Sequence, residues 1–177
     1  MPRARSPRFD LARLLDEQSI GVEARVEDDD HQSLKLWLRL LACSNQVQIE
    51  IRRRLRERFA VSLPRFDYLA QLHRHADGLR MNTLSRYLMV SGGSVTGLTD
   101  ELEKDGLVQR DDDPDDRRSV RVRLTPAGRR AFERMAREHE AWVVELFGGL
   151  DADRKRLVHE SLGRLRVHLA SLGRAVE

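Results

Sequence analysis

Small polar side chains cluster where a short helix is predicted to begin, between Ser91 and Gly97. Ser91 can cap this helix, and the hydroxyls of Ser94 and Thr96 can donate or accept hydrogen bonds. Free N–H groups at a helix start and the positive end of the helix dipole attract phosphate oxygens. In a major groove, hydroxyls can read base edges, and Gly97 has no side chain to hold the helix away. These residues predict contact with duplex DNA, although an ordinary turn with exposed hydroxyls has the same composition.

A second group of candidates follows in the run QRDDDPDDRRSVRVRL, where apolar residues alternate with Arg121 and Arg123. This alternation is typical of a strand with one apolar and one cationic face. The pattern predicts strands over 107–110 and 119–124, joined by the turn DDDPDD. Five aspartates between 111 and 116 would repel DNA, unless a carboxylate orients a guanidinium.

Asp116 is the candidate for that orienting carboxylate, because it lies two residues before Arg118. A bidentate pair would position Arg118 to enter a narrow minor groove, and Arg117 is a second candidate. A merely solvated, charged turn is the alternative interpretation.

These residues need a helix-turn-helix and a hairpin to position them. One short helix is predicted from about Asn82 to Met89, and a second runs from Ser91 to about Lys104, where Asp105-Gly106 ends it. The hairpin after them makes the motif winged.

Longer helical patterns surround the motif, with apolar residues at three- and four-residue steps. A Ser, a Thr-Pro pair and an Asp are their predicted N-caps. The sequence therefore predicts a mainly α protein of about six helices with a small β-hairpin wing. The predicted helices are 33–59, 62–75, 125–147 and one from 151 onward.

The predicted organisation has four parts. Residues 1–30 form an arm, partly disordered or a short helix, and residues 61–125 form the DNA-binding domain. Residues 31–60 and 126–177 are predicted dimerisation helices, because their apolar seams exceed what one small winged domain can cover. A dimer also reads enough base pairs for an operator, whereas one recognition helix does not.

Composition limits the other classes of function. The net charge of +3 does not itself indicate a nucleic-acid partner, but arginines cluster at 52–58 and 117–123. Cys43 is the single cysteine, which excludes an intramolecular disulfide. The start, MPRARSPRFD, is not a secretory signal, and no apolar run approaches the ~20 residues of a membrane span. We expect a cytoplasmic protein without a cofactor.

The hairpin run LVQRDDDPDDRRSVRVRLTPAG resembles the wing of the MarR (multiple antibiotic resistance regulator) family. LSRYLMVSGGSVTGLTDELEKDGLV is similar to the family's helix-turn-helix, and residues 33–172 follow its layout. The resemblance implies a homodimer that binds a pseudo-palindromic operator and commonly represses transcription. It also implies that Thr96 and Gly97 face bases, that Arg86 lies near phosphates, and that Asp116 pairs with Arg118. The predicted DNA-binding residues are Arg86, Ser91, Ser94, Thr96, Gly97, Asp116, Arg117, Arg118 and Arg121.

The resemblance further implies a small-molecule effector, bound between the dimer helices and the winged domain. Aromatic and hydrogen-bonding side chains would suit an aromatic acid or its CoA thioester, although ordinary core residues are the alternative. The candidates are Trp37, Leu41, Asn45, Tyr68 and His73. For Cys43 we expect a buried, inert thiol rather than a peroxide sensor, and the histidine spacing does not favour a metal site.

Two other classes of function remain for comparison. The chain has no GxSxG, P-loop or HExxH motif, so catalysis is not expected. A helical protein–protein adaptor that keeps the winged fold without binding DNA is conceivable, because the predicted wing is acidic.

Overall fold

The computed structural model describes the backbone of residues 31–113 and 116–174, and the side chains of residues 31–113 and 119–172. The predicted N-terminal arm, residues 1–30, lies outside the described residues. The chain divides into two compact units, residues 1–53 and 54–177.

The described part of the first unit belongs to helix α1 (Gln32–Phe59), whose end lies in the second unit. The helix forms because apolar residues recur along it without Pro or Gly. Several of its large apolar side chains in the first unit are exposed, whereas Ile51 is buried; the exposed ones are Leu34, Leu36, Trp37, Leu41 and Ile49.

The second unit contains five further helices and a small sheet. In chain order these are α2 (Leu63–Arg74), β1 (Leu79–Arg80), α3 (Met81–Leu88), α4 (Gly92–Lys104), β2 (Val108–Asp113), β3 (Asp116–Leu124), α5 (Pro126–Leu146) and α6 (Ala152–Arg174). All strand pairs are antiparallel, in the order β1-β3-β2. The predicted mainly α fold with six helices and a wing is confirmed for the described residues.

The core of the second unit lies where the helices meet one face of the sheet. Leu79 and Val122 face each other across β1 and β3, and both are buried. Phe66 packs against Phe132, with ring centroids 5.4 Å apart, and so joins α2 to α5. Among the described residues, the largest fully buried apolar side chains are Leu55, Tyr68, Leu69, Leu72, Leu84, Val95, Leu102, Val108 and Val122.

The ends of the helices follow the predicted capping chemistry, with one exception. Thr125 caps α5 by accepting a hydrogen bond from Gly128 N, and Pro126 occupies the first turn. Asp151 accepts a bond from Arg154 N at the start of α6. Ser62 is the N-cap of α2, but its side chain makes no capping bond.

One prediction about the sheet was wrong, and one strand was not predicted. The strands extend into the aspartate run that was predicted to be a turn, because arginines on neighbouring strands pair with Asp111 and Asp113. Strand β1 was not predicted, because its two residues are too few to show the alternation of apolar and polar residues that marks a strand.

Helix α6 presents an apolar seam, as its spacing predicted. In one chain this seam is exposed along its whole length: Leu157, Val158, Leu162, Leu165, Leu169 and Leu172. Exposed apolar surface of this extent marks an interaction face.

Candidate nucleic-acid interface

The start of α4 is built by its cap. Ser91 adopts an extended backbone, and its Oγ accepts a hydrogen bond from Ser94 N at 3.3 Å. The two hydroxyls of Ser91 and Ser94 lie 2.9 Å apart and share a second bond. The cap satisfies one of the four free N–H groups of the first turn and leaves others pointing outward. The predicted N-cap at Ser91 is therefore confirmed.

Three glycines leave this part of α4 bare. Gly92, Gly93 and Gly97 are exposed, and a Cβ added to any of them would meet no atom within 4 Å. None has a positive φ, so the backbone does not require glycine there. Glycine in a helix interior costs about 1 kcal/mol relative to alanine. Of the three, Gly97 lies in the helix interior, and no contact among the described residues requires glycine there.

Thr96 lies on the same exposed surface. Its Oγ1 donates a hydrogen bond to Gly92 O at 3.1 Å, which fixes the side chain against its own helix. Because the hydroxyl hydrogen is used in this way, Thr96 can offer its oxygen lone pairs and its methyl group to an outside partner.

The inner face of α4 is fixed by a buried pair of hydroxyls. Tyr68 Oη lies 2.6 Å from Thr99 Oγ1, and Thr99 donates to Val95 O at 2.7 Å. Tyr68 is therefore the donor to Thr99. Burial raises the pKa of Tyr68 to about 12, so the phenol stays protonated.

Ionic contacts fix the outer end of α4 to its neighbours. On β2, Arg110 forms ion pairs with Asp100 and Glu103 of α4. The hydrogen bond to Asp100 is the main reason that the pKa of Arg110 is raised. Arg65 of α2 forms a similar contact with Asp105, immediately after the helix. The helix is thus fixed to both α2 and the hairpin.

The wing neutralises part of its own negative charge. Asp111 accepts hydrogen bonds from Gln109 and Arg123, which lower the pKa of its carboxyl. Asp113 is buried, and its Oδ2 accepts from Arg80 Nε at 2.5 Å and from Arg121 Nε at 3.0 Å. The repulsion expected from five aspartates is therefore offset at two of them.

The other predicted DNA-binding residues divide into two groups. Arg86 is exposed in the last turn of α3, and Arg121 is partly buried against Asp113. Asp116, Arg117 and Arg118 belong to β3, but their side chains lie outside the described part, so their pairing remains a prediction.

The predicted effector residues are divided between the two units. Trp37, Leu41 and Asn45 share an exposed face of α1 in the first unit. In the second unit, His73 is half-buried, with its ring 4.8 Å from Phe132 and its Nε2 3.5 Å from Glu133 Oε1.

Tyr68 needs a correction, because it has no exposed surface and lies in the core against Thr99. Its aromatic type suggested a ligand contact, but its position on the inner face of α2 makes it a packing residue.

Within residues 31–113 and 116–174, none of the helices has the length and hydrophobicity of a membrane span. The same residues contain no group of three or more Asp, Glu, His or Cys side chains that could hold a metal ion. Cys43, expected to be buried, is exposed.

Comparison with known proteins agrees with this geometry. The family model of the MarR family matches residues 61–120, which span α2, the helix-turn-helix and most of the wing. A MarR family transcriptional regulator from Silicibacter pomeroyi has a solved structure that matches with a TM-score of 0.66 and 33% identity. The match covers 82% of this chain and 99% of that one. The chain belongs to the MarR family.

Two relatives extend the comparison at the level of sequence. The uncharacterized HTH-type transcriptional regulator YdgJ of Bacillus subtilis (strain 168) is 30% identical over 112 residues, 63% of this chain and 68% of that protein. The transcriptional activatory protein BadR of Rhodopseudomonas palustris is 35% identical over 117 residues, 64% of this chain and 66% of that protein. MarR family members are transcription regulators and not enzymes, so this MarR family chain is a DNA-binding transcriptional regulator.

Sequence reasoning missed the residues that hold α4 and the wing in place. Thr99 was given no role, and Arg80 and Asp113 were not predicted to pair. Thr99 is separated by 31 positions from Tyr68, and Arg80 by 33 from Asp113. No local sequence pattern predicts such distant pairs. If β1 had been predicted, its pairing with β3 would have placed Arg80 opposite Arg121, and a carboxylate between the two could have been expected.

Proposed function

We propose that this MarR family protein is a homodimeric repressor that binds a pseudo-palindromic operator and is released by a small molecule. The start of α4 enters the major groove, and the wing follows the adjacent minor groove. The observation that carries this proposal is the exposed, capped start of α4, where Gly92, Gly93 and Gly97 have open space around them. A helix surface without side chains lets its backbone approach DNA closely.

Each predicted residue has a role in this arrangement. Ser94, Thr96 and Gly97 face base edges, and Ser91 lies beside them at the cap. Arg86 contacts a backbone phosphate from the exposed side of α3. In the wing, Asp116 orients Arg118 toward the minor groove, and the additional cations are Arg117 and Arg121.

Dimerisation supplies the second half-site. MarR family regulators act as dimers, and the exposed apolar seam of α6 supports the same state here. We assign residues 31–60 and 126–177 to the dimer interface and residues 61–125 to DNA binding. Two recognition helices then lie about one helical turn of DNA apart, ~34 Å.

The effector is proposed to be an aromatic acid or its CoA thioester. Trp37 offers exposed aromatic surface, and Asn45 on the same face of α1 offers hydrogen bonds. Leu41 completes that face, and His73 is the candidate from the second unit, while Tyr68 is omitted because it is buried. A ligand that prefers the DNA-incompetent spacing of the two recognition helices lowers operator affinity.

The proposal is tested by selecting genomic DNA fragments with the purified protein and measuring affinity for them against salt. Specific binding should weaken with a log–log slope of about −0.9 for each phosphate neutralised. Failure to bind any duplex at low ionic strength would favour the protein–protein adaptor.

Effector and direction of regulation need separate measurements. A panel of phenolic acids and acyl-CoA esters should include a compound that lowers operator affinity, and transcription from the bound promoter should rise when it is added. BadR is named a transcriptional activatory protein, so transcription that falls on release would assign activation to this chain as well.

A further inference from the structure

We propose that Asp113 is a positioning residue for DNA binding, which attaches the wing to the start of the helix-turn-helix and so sets the wing over the minor groove. This inference rests on the proposed function and concerns how one part of that surface is held. It assigns the buried carboxylate a role that differs from that of the aspartate predicted at the wing tip.

The first observation is a pair of opposed cations. Arg80 on β1 and Arg121 on β3 are direct partners in the antiparallel register, so their side chains share one face of the sheet. Like charges in this position destabilise strand pairing. Asp113 lies between them and accepts a hydrogen bond from the Nε atom of each.

The second observation is burial. The side chain of Asp113 has no exposed surface, while those of Arg80 and Arg121 are 37% and 27% exposed. A buried carboxylate needs charged or hydrogen-bonding partners, because desolvation otherwise makes its charge very unfavourable. The three charges sum to one positive charge, which keeps the cluster compatible with a polyanion.

The third observation is position along the wing. Strand β1 pairs with β3 at Leu79↔Val122 and Arg80↔Arg121, and nearer the tip the hairpin has two strands only. Two-stranded ribbons are marginally stable by themselves. A register shift at Asp112/Asp113 places Asp113 on this two-stranded part, opposite Asp116.

Asp113 therefore extends the attachment of the wing toward its tip. Its partner Arg80 is the N-cap residue of α3, the first helix of the helix-turn-helix. One carboxylate thus connects the outer part of the wing with the beginning of the motif that positions α4.

The test uses the sign of a charge change. Asp113→Asn removes a negative charge, which by simple electrostatics should strengthen binding to DNA. We expect the opposite, a loss of operator affinity on the order of tenfold, because the wing no longer lies over the minor groove. The matched control is Asp111→Asn, which makes the same charge change at a partly exposed wing carboxylate and should bind at least as tightly as the unmodified protein.

Footprinting of the two grooves separates positioning from loss of fold. At saturating protein, Asp113→Asn should keep protection of guanine N7 in the major groove and lose protection of the flanking minor-groove sugars from hydroxyl radicals. Equal loss in both grooves would assign Asp113 a merely structural role and overturn the inference, as would operator affinity that is unchanged or increased.

A second pair of variants covers the case in which Asp113→Asn does not fold. Arg80→Met leaves Asp113 paired with Arg121 but removes its contact with β1. Arg123→Met is the control, because it also removes one cation, from the same face of the sheet as Arg121. Minor-groove protection should be lost in Arg80→Met and kept in Arg123→Met, and identical footprints for the two variants would overturn the inference. If the unmodified protein binds no duplex, the proposed function itself fails; if it binds and these variants behave as their controls do, the inference about Asp113 alone fails.

Discussion

Helices α4 and α5 begin with the same kind of hydroxyl cap, but the glycines near their starts have different surroundings. In each, a hydroxyl caps the helix by accepting from the N–H three residues later, from Ser94 in α4 and from Gly128 in α5. A Cβ on Gly128 would lie 1.8 Å from Leu107 O, whereas a Cβ on Gly97 would meet nothing within 4 Å. Gly128 serves a contact inside the fold, whereas no contact among the described residues requires glycine at Gly97.

Gly128→Ala should produce the largest effect. The added methyl group overlaps backbone at Leu107, which cannot move without displacing the wing from α5. We expect the free energy of unfolding to fall by about 3 kcal/mol, as for severe overpacking, measured by urea denaturation. Gly149→Ala is the control, because its Cβ meets open space. Equal stability of the two variants would remove the distinction between inner and outer glycines.

Gly97→Ala should have the opposite effect on stability. Alanine in the helix interior is expected to raise the free energy of unfolding by about 0.5–1 kcal/mol. Operator affinity should nevertheless fall, roughly fivefold or more, because the methyl group occupies space that DNA needs. Titration of labelled operator measures the affinity. A variant that is more stable and binds equally well would show that nothing approaches this face closely.

Tyr68→Phe tests the buried face of α4, where the Tyr68 hydroxyl contacts Thr99. Loss of the hydrogen bond to Thr99 should cost about 1 kcal/mol of stability, measured by thermal or urea unfolding. Operator affinity should not change at temperatures where the variant is folded, because the hydroxyl points away from the exposed surface. A loss of affinity without a loss of stability would contradict this assignment.

The smallest expected effect is a pH dependence of stability from His139. Burial against Phe66, with ring centroids 4.8 Å apart, lowers the pKa of His139 below its ordinary value. The unfolded chain therefore binds more protons in this range, so stability falls as the pH drops below about 6.5 toward the lowered pKa. Unfolding measured between pH 7.5 and 5 should show this slope, and His139→Phe should reduce it. An unchanged slope would assign the dependence to other groups.

Local chemistry was predictable from the sequence, and long-range pairing was not. The caps Ser91 and Thr125 and the left-handed Gly106 follow from a few neighbouring residues, and each was confirmed. The limits of the strands were wrong because an aspartate run has the composition of a turn, and cross-strand arginines override that tendency.

The candidate site shows the same division between local and distant information. Its exposed surface on α4 was predicted, because hydroxyls and glycines at a helix start can be read directly. The residues that hold this surface were not, since they come from other elements, such as Tyr68 of α2 and Arg110 of β2.

Arg110 has a consequence for how such a protein could acquire new target sequences. Its ion pairs with Asp100 and Glu103 join β2 to α4, so a tilt of α4 against the hairpin would break these contacts. A change in the angle of α4 to suit a different DNA sequence would therefore misplace the hairpin. A new DNA sequence preference is more accessible through replacement of exposed side chains on α4, one base pair at a time, with the backbone unchanged.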